Sequence, residues 1–455
     1  MTTHTTCCPD CSSSDQEAQP IKKKSSPRRW FVLTSGYFVM FLSTGFPFNI
    51  FILNPEFLRT FESNKAETAL IQSITTGMLH IAGTFCWKAV ARYGPRMTGI
   101  AGSLLVTLGL VFSFFAQSIP HLIVTLGLVS GIGFSATIIS AVTSVGEYFE
   151  GKSQLMALSF LTFGSGCGGI LIPFLLHFLI EEFGWRGCLL FIGGLMANMT
   201  CFFAVCKPLS IGLQQTKANK LKKVDSETKP TEQVFTKSLR SLVTNKVYIA
   251  HVVAMCCTLP VINSSLIFII DFLTTKGFDS KSAILMYLYL QIGSTLCGVV
   301  PGLCKKYIPH TSVLIIPACF TIIGSTATAL LPHAKTYTQH VVLLVFLGMT
   351  LGVSVTTVSV TTVKIVGLQD YSAGLGVLMT MLGISGSISG PVAGFFVDLT
   401  GSYTKPFYGM SAGLGLAAGL FVLAAVLKRK SNNIHSDHVS DITVVVGADN
   451  PAFSI

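Results

Sequence analysis

Charge is what this chain has least of. Only 11% of its 455 residues are Asp, Glu, Lys or Arg, against about 25% in soluble domains. A water-facing surface cannot be built from so few charges, and half of the residues are apolar. Lipid is therefore the expected solvent for most of the surface. No cleavable signal peptide is expected, because residues 1–29 are polar and contain no apolar core segment. The thirteen cysteines mostly lie inside apolar runs, where a thiol behaves as a small hydrophobe. Cys8 and Cys11 have the spacing of a metal-binding pair, but no second pair accompanies them. We assign no metal and no cofactor. Free thiols in a tail are the preferred reading, with palmitoylation of Cys7, Cys8 or Cys11 as the alternative. No nucleophile–base pair stands out, so the chain does not read as an enzyme.

Long apolar runs are present instead. Twelve recur at roughly 30–53, 66–87, 97–117, 121–146, 153–180, 185–206, 247–271, 281–303, 312–331, 341–363, 372–397 and 405–427, each long enough to span a bilayer as a helix. They divide into a first bundle, 30–206, and a second, 247–427, joined by a polar linker at 207–246 that contains "KANKLKKVDSETKPTEQ". The N-tail, 1–29, and the C-tail, 428–455, are polar and expected to be disordered. With both tails and the linker on one side, 24 of the 31 lysines and arginines fall there, leaving 7 opposite. The net charge of +11 thus marks a cytoplasmic face. It calls for membrane lipid as a partner, not nucleic acid. The layout is similar to the major facilitator fold: all-α, integral to the membrane, with 12 transmembrane helices in two six-helix bundles that rock about a mid-depth site.

Small residues support moving parts. The 42 glycines gather in "LVSGIGFSA", "FGSGCGGILIP" and "LGISGSISGPVAG", spacings that let helices approach and slide. After the second span, "WKAVARYGPRM" places Lys88, Arg92 and Arg96 four apart around a Gly-Pro turn. This is similar to the basic gate loop of major facilitators. Glu147 and Lys152, at the same level beside the fourth and fifth spans, complete a candidate cytoplasmic gate. Positive-inside anchoring is the alternative role for these cations.

Spans four to six carry a more specific signal. Tyr148-Phe149, Lys152, Gly164-Ser165, Gly184-Trp185-Arg186-Gly187 and Pro208 follow one another at set distances. Near the other end "GPVAGFFVDLTGSY" supplies Gly390, Pro391, Gly394, Asp398 and Gly401-Ser402-Tyr403. Together these resemble the monocarboxylate transporter (solute carrier 16) family over roughly residues 30–428. The resemblance implies a plasma-membrane carrier with cytoplasmic termini, a small organic solute and a single-span accessory glycoprotein as partner.

Departures from that pattern define the candidate site. The family's helix-1 opening survives only as Trp30, and its acid falls at Ser25. Phe46-Pro47 matches the family's Phe-Pro. The proton-coupled members follow that proline with a lysine that receives the substrate carboxylate, and this chain has Phe48. They also carry Asp and Arg four apart in the eighth span, where "SAILMYLYLQIGSTLCGVVPGL" holds no charge. Receiving a carboxylate at mid-depth without a cation costs several kcal/mol. The polar groups that remain within the spans are neutral or titrate near neutrality. We take Phe48, Asn49, His80, Asn263, Tyr287 and Gln291 as candidate substrate-binding residues, since buried amides and hydroxyls require hydrogen-bond partners. For His80, a packed neutral ring bonded to a nearby carbonyl competes with a titrating role.

The leading expectation is a secondary carrier moving a monocarboxylate or an amphipathic, amino-acid-like metabolite by alternating access, facilitatively. The first alternative is a proton-linked symporter using His80, with the proton as a second partner. An alternative of another class is a non-transporting sensor or trafficking partner, for which Asn450-Pro451-Ala452-Phe453 offers an endocytic-type turn.

Overall fold

The computed structural model describes residues 28–149, 152–206, 242, 244–298, 300–301, 314–367 and 371–448. Among these residues all regular structure is helical. The first crossing is broken. Helix α1, Arg28–Gly45, gives way to a tight helical segment, Pro47–Leu53, and then to α2, Asn54–Phe61, with a bend of 42°. Pro47 lacks the N–H that would continue α1, and its ring crowds the preceding turn. Pro55 opens α2 in the same manner.

Helix α3, Lys65–Ile81, runs through Ala82 into α4, Gly83–Phe114. Gly94 interrupts α4 with φ of +84°, a backbone conformation open to glycine alone at low cost, and Pro95 starts the next crossing. Then come α5, Ile119–Leu122, a wide π-type stretch and α6, Ser130–Tyr148. Helix α7, Lys152–Val205, is divided the same way at Gly184, φ +66°. The second half comprises α8, Lys246–Thr275; α9, Ser280–Cys297; α10, Ile315–Leu330; α11, Tyr337–Val366; α12, Tyr371–Thr400; and α13, Thr404–Ala448. Side chains set several starts. Asn245 accepts from the Val247 and Tyr248 amides, and Thr336 with Gln339 forms a reciprocal cap on α11.

Eight described helices are long and apolar enough to cross a membrane, or nine when the bent α1 pair is counted. Dividing α4 at Gly94 and α7 at Gly184, and following α3 into α4, accords with the twelve expected crossings. We call the face where Arg28 begins the first crossing the terminal face, and the opposite one the far face.

The halves meet along α3 against α12 and α7 against α9. At the first of these seams a Cβ on Gly77 would run into Ser387 Oγ and lie 2.9 Å from the Gly383 carbonyl oxygen. Only glycine allows this approach. The largest buried apolar cluster includes residues of both halves, among them Phe46, Phe51, Phe57, Phe268, Tyr287 and Phe407, and in the first half it reaches Phe203 near the terminal end of α7. Toward the terminal face the halves keep separate clusters, one around Val145 and Leu161 and another around Met255 and Phe421.

Candidate functional site

The break at Pro47 turns the following residues out of the α1 axis. Asn49 is fully buried and bonds twice. Its Nδ2 donates to the Gly45 carbonyl at 2.5 Å, and its Oδ1 accepts from the Tyr287 hydroxyl at 2.7 Å. Gln291 Nε2 then donates to the Tyr287 oxygen at 2.6 Å. Tyr287 is fully buried, with its ring edge-on to Phe51 at 5.1 Å. A polar chain, Gln291 to Tyr287 to Asn49 to Gly45, thus links α9 of the second half to the broken helix of the first. Three of the six expected binding residues come together here. Each donor in the chain has an acceptor, as burial demands.

Phe48 is half-buried between the buried Pro47 and Asn49, and its carbonyl accepts from Gln72 Nε2 at 3.2 Å. The Gln72 Oε1 has no partner although it is buried. His80 stands further toward the terminal face on α3, half-buried, with Nδ1 donating to the Thr76 carbonyl at 2.7 Å. That bond is the packed arrangement weighed above, and it fixes the proton on Nδ1. Asn263 is half-buried on α8, outside the chain of three. Its neighbours Ser264 and Ser265 donate to their own helix, and Ser389 joins Ser264 on the Pro260 carbonyl.

The expected gate residues are more dispersed. Lys88 and Arg92 are exposed ahead of the Gly94 break, Arg92 beside the Tyr93 ring at 5.4 Å, and Arg96 is half-buried after it. Among the described residues none of these three makes a hydrogen bond or ion pair with the second half. Glu147 is engaged near the end of α6. Lys152 begins α7, and its side chain lies outside the described residues.

A second polar cluster, on the far face, went unread in the sequence. Lys65 Nζ lies 2.8 Å from Asp271 Oδ2 and 2.5 Å from the Tyr403 hydroxyl, above the Tyr403 ring at 4.4 Å. The Tyr403 hydroxyl also donates to Asp271. Burial, together with the Asp271 carboxylate, raises the Tyr403 phenol above its ordinary pKa of 10.0, so it remains a donor. Asp398 accepts from the Lys65 and Ala66 amides at 3.2 and 3.0 Å. A carboxylate of the second half therefore caps a helix of the first. The sequence held one usable signal. Lys65, Asp271 and Asp398 end or begin three different spans at the same face, and few charges sit so close to lipid.

Two helical bundles, bolted at one face and bridged at mid-depth by an uncharged polar chain, are the architecture of a membrane carrier. The profile of the Major Facilitator Superfamily matches residues 33–389, and the chain belongs to that superfamily. Monocarboxylate transporter 6 of Mus musculus is 26% identical over 426 residues, covering 89% of this chain and 88% of the relative. Monocarboxylate transporter 12 of Xenopus laevis is 26% identical over 425 residues, covering 89% and 90%. Among solved structures, the nucleoside transporter NupG superposes with a TM-score of 0.71 at 13% identity, over 86% of this chain and 99% of that one. Family and fold are those of membrane transporters, not of enzymes.

Proposed function

We propose that this carrier moves a small organic solute of zero net charge through a mid-depth site beside Phe48, Asn49, Tyr287 and Gln291, without obligatory proton coupling. The terminal face is cytoplasmic and the far face extracellular at the plasma membrane, in keeping with the bias of Lys and Arg. One observation carries the reading: the bridge between the halves is built of two amides and a phenol. Phe48 stands where a carboxylate-binding cation would be expected. Hydrogen bonds of this kind suit amides, hydroxyls and paired charges, and each must be remade when the halves part.

The test is uptake of a solute panel into proteoliposomes, with and without an inward proton gradient. Net-neutral amphipathic solutes are expected to equilibrate at a rate the gradient does not change. Lactate uptake driven strongly by the gradient would sink the proposal. Phe48→Lys is expected to raise the preference for monocarboxylates over their amides by about tenfold, the effect of roughly 1.4 kcal/mol of charge pairing. An unchanged preference places Phe48 off the pathway.

A second reading keeps His80 as a proton site, favoured by the presence of a half-buried titratable ring within the α3 span. His80→Gln then abolishes any gradient-driven component while leaving exchange intact. The accessory glycoprotein implied by the family is a partner to seek by co-purification.

A further inference from the structure

A small cavity lies between the broken first helix and the far-face cluster. Phe51 and Asn54 of the first crossing, Lys65 of α3, and Phe268 and Asp271 of α8 are in its lining. It has room for about one water molecule. Its aromatic walls are buried, so no organic solute fits. The polar groups around it are incompletely bonded. Asn54 is only 6% exposed, and its Oδ1 has no hydrogen-bond partner. The Lys65 ammonium uses two of its three N–H groups, on Asp271 Oδ2 and on the Tyr403 hydroxyl. That same Oδ2 also accepts from Tyr403. Among the described residues, the third N–H of Lys65 and the Oδ1 of Asp271 have no partner. One donor and two acceptors thus stand open on residues around a water-sized space, and a buried water makes about three hydrogen bonds. A metal ion of that size would sit against the Lys65 ammonium and be repelled by it.

We propose that one ordered water occupies this cavity, accepting from the Lys65 ammonium and donating to Asn54 Oδ1 and Asp271 Oδ1. Asn54 begins α2, directly after the segment that Pro47 breaks. Through the water it holds both members of the Lys65–Asp271 pair. Asn54 is therefore a positioning residue for far-face closure, and the broken first crossing is part of the latch along with α3, α8 and α12. Parting α3 from α8 opens the cavity and releases the water to bulk. No proton moves, and the site is independent of which solute the carrier takes.

Cryo-electron microscopy of the purified full chain, at a resolution that shows ordered waters, tests the site directly. A peak is expected about 2.7–3.2 Å from Asn54 Oδ1, with Lys65 Nζ and Asp271 Oδ1 at similar distances. An empty cavity overturns the proposal. So does a peak ringed by oxygens at about 2.3–2.6 Å, the mark of a hard cation. Asn54→Leu, which nearly keeps the side-chain shape, gives a test by sign. Leucine would relieve a bare buried acceptor and raise the melting temperature, whereas loss of a water-bridged one is expected to lower it. A raised melting temperature overturns the bridge. Crowding by leucine would also lower it, so Lys65→Met is measured alone and combined with Asn54→Leu. The bridge makes the two losses non-additive, each smaller in the presence of the other, and additive losses overturn it. Should Lys65→Met fail to fold, the density decides alone. The link to closure is read by labelling an Ala66→Cys reporter from outside with an impermeant maleimide, over the background of the parent chain. Asn54→Leu is expected to raise the rate about threefold, and an unchanged rate overturns the part of the water in the latch.

Discussion

The two faces of the molecule hold its halves by different means. On the far face, α3 is tied to the second half by the Lys65–Asp271 pair and the Asp398 cap, over an apolar core that both halves share. Toward the terminal face each half has its own core. The cross-half hydrogen bonds and ion pairs described above lie at mid-depth and on the far face. The structure is thus one in which the far face is shut. The asymmetry shows where the free energy of closure is stored. Opening the far face must break charge-assisted bonds and divide a common core. Toward the terminal face two smaller clusters already lie each within one half.

The sharpest way to break this comparison is at the α3–α12 seam. Gly77→Val would push a side chain into the Gly383 carbonyl, backbone that cannot yield. We expect loss of far-face closure and a fall in uptake of about a hundredfold, together with rapid far-face labelling of an Ala66→Cys reporter. Normal uptake would show that the seam opens by another route. Next in size, Asp398→Asn keeps the shape but weakens the bonds to the Lys65 and Ala66 amides. Charge-assisted bonds of this kind contribute about 1.5–3 kcal/mol, so reporter labelling should rise by about tenfold. A rate equal to the parent's would remove the cap from the closure.

At mid-depth, Tyr287→Phe strands the Asn49 oxygen and the Gln291 amide, at a cost of about 1–3 kcal/mol. We expect a melting temperature lowered by a few degrees and slower uptake, with far-face labelling little changed. Labelling that rises as much as in Asp398→Asn would merge the two regions into one device. The smallest expected effect concerns pH. Since burial and Asp271 raise the Tyr403 phenol above 10.0, the folded state favours the neutral form. Its contribution is fully present below pH 10 and lost only as pH climbs through the raised value. The difference in melting temperature between the parent and Tyr403→Phe should stay constant from pH 7 to about 10. A difference that shrinks between pH 7 and 9 would show that the phenol ionises early.

Much of the mid-depth site was legible before the fold. Pro47 announces the helix break because a proline cannot donate to the preceding turn. Asn49, Tyr287 and Gln291 stood out because buried amides and phenols in lipid-spanning runs need partners. Tyr287 and Gln291 are four apart, so the helical repeat alone brings them together. The role of His80 was narrowed by one bond to its own helix, also an i, i−4 relation. The far-face cluster escaped because Lys65, Asp271 and Asp398 resemble ordinary helix-end charges, which lipid tolerates near the interface. Their pairing depends on how two bundles dock, and no local pattern records that.

The sequence by itself determined that the chain lives in a membrane, crosses it about twelve times in two halves, breaks its first helix at Pro47 and offers no lysine after it. These follow from hydropathy, residue type and backbone stereochemistry, which act over a few residues. The tertiary structure alone decided that Tyr287 meets Asn49 across 238 residues of chain, and that Lys65 is held by the opposite half. Such contacts are set by rigid-body packing of helices, where the approach permitted at Gly77 fixes the partners of charges many turns away.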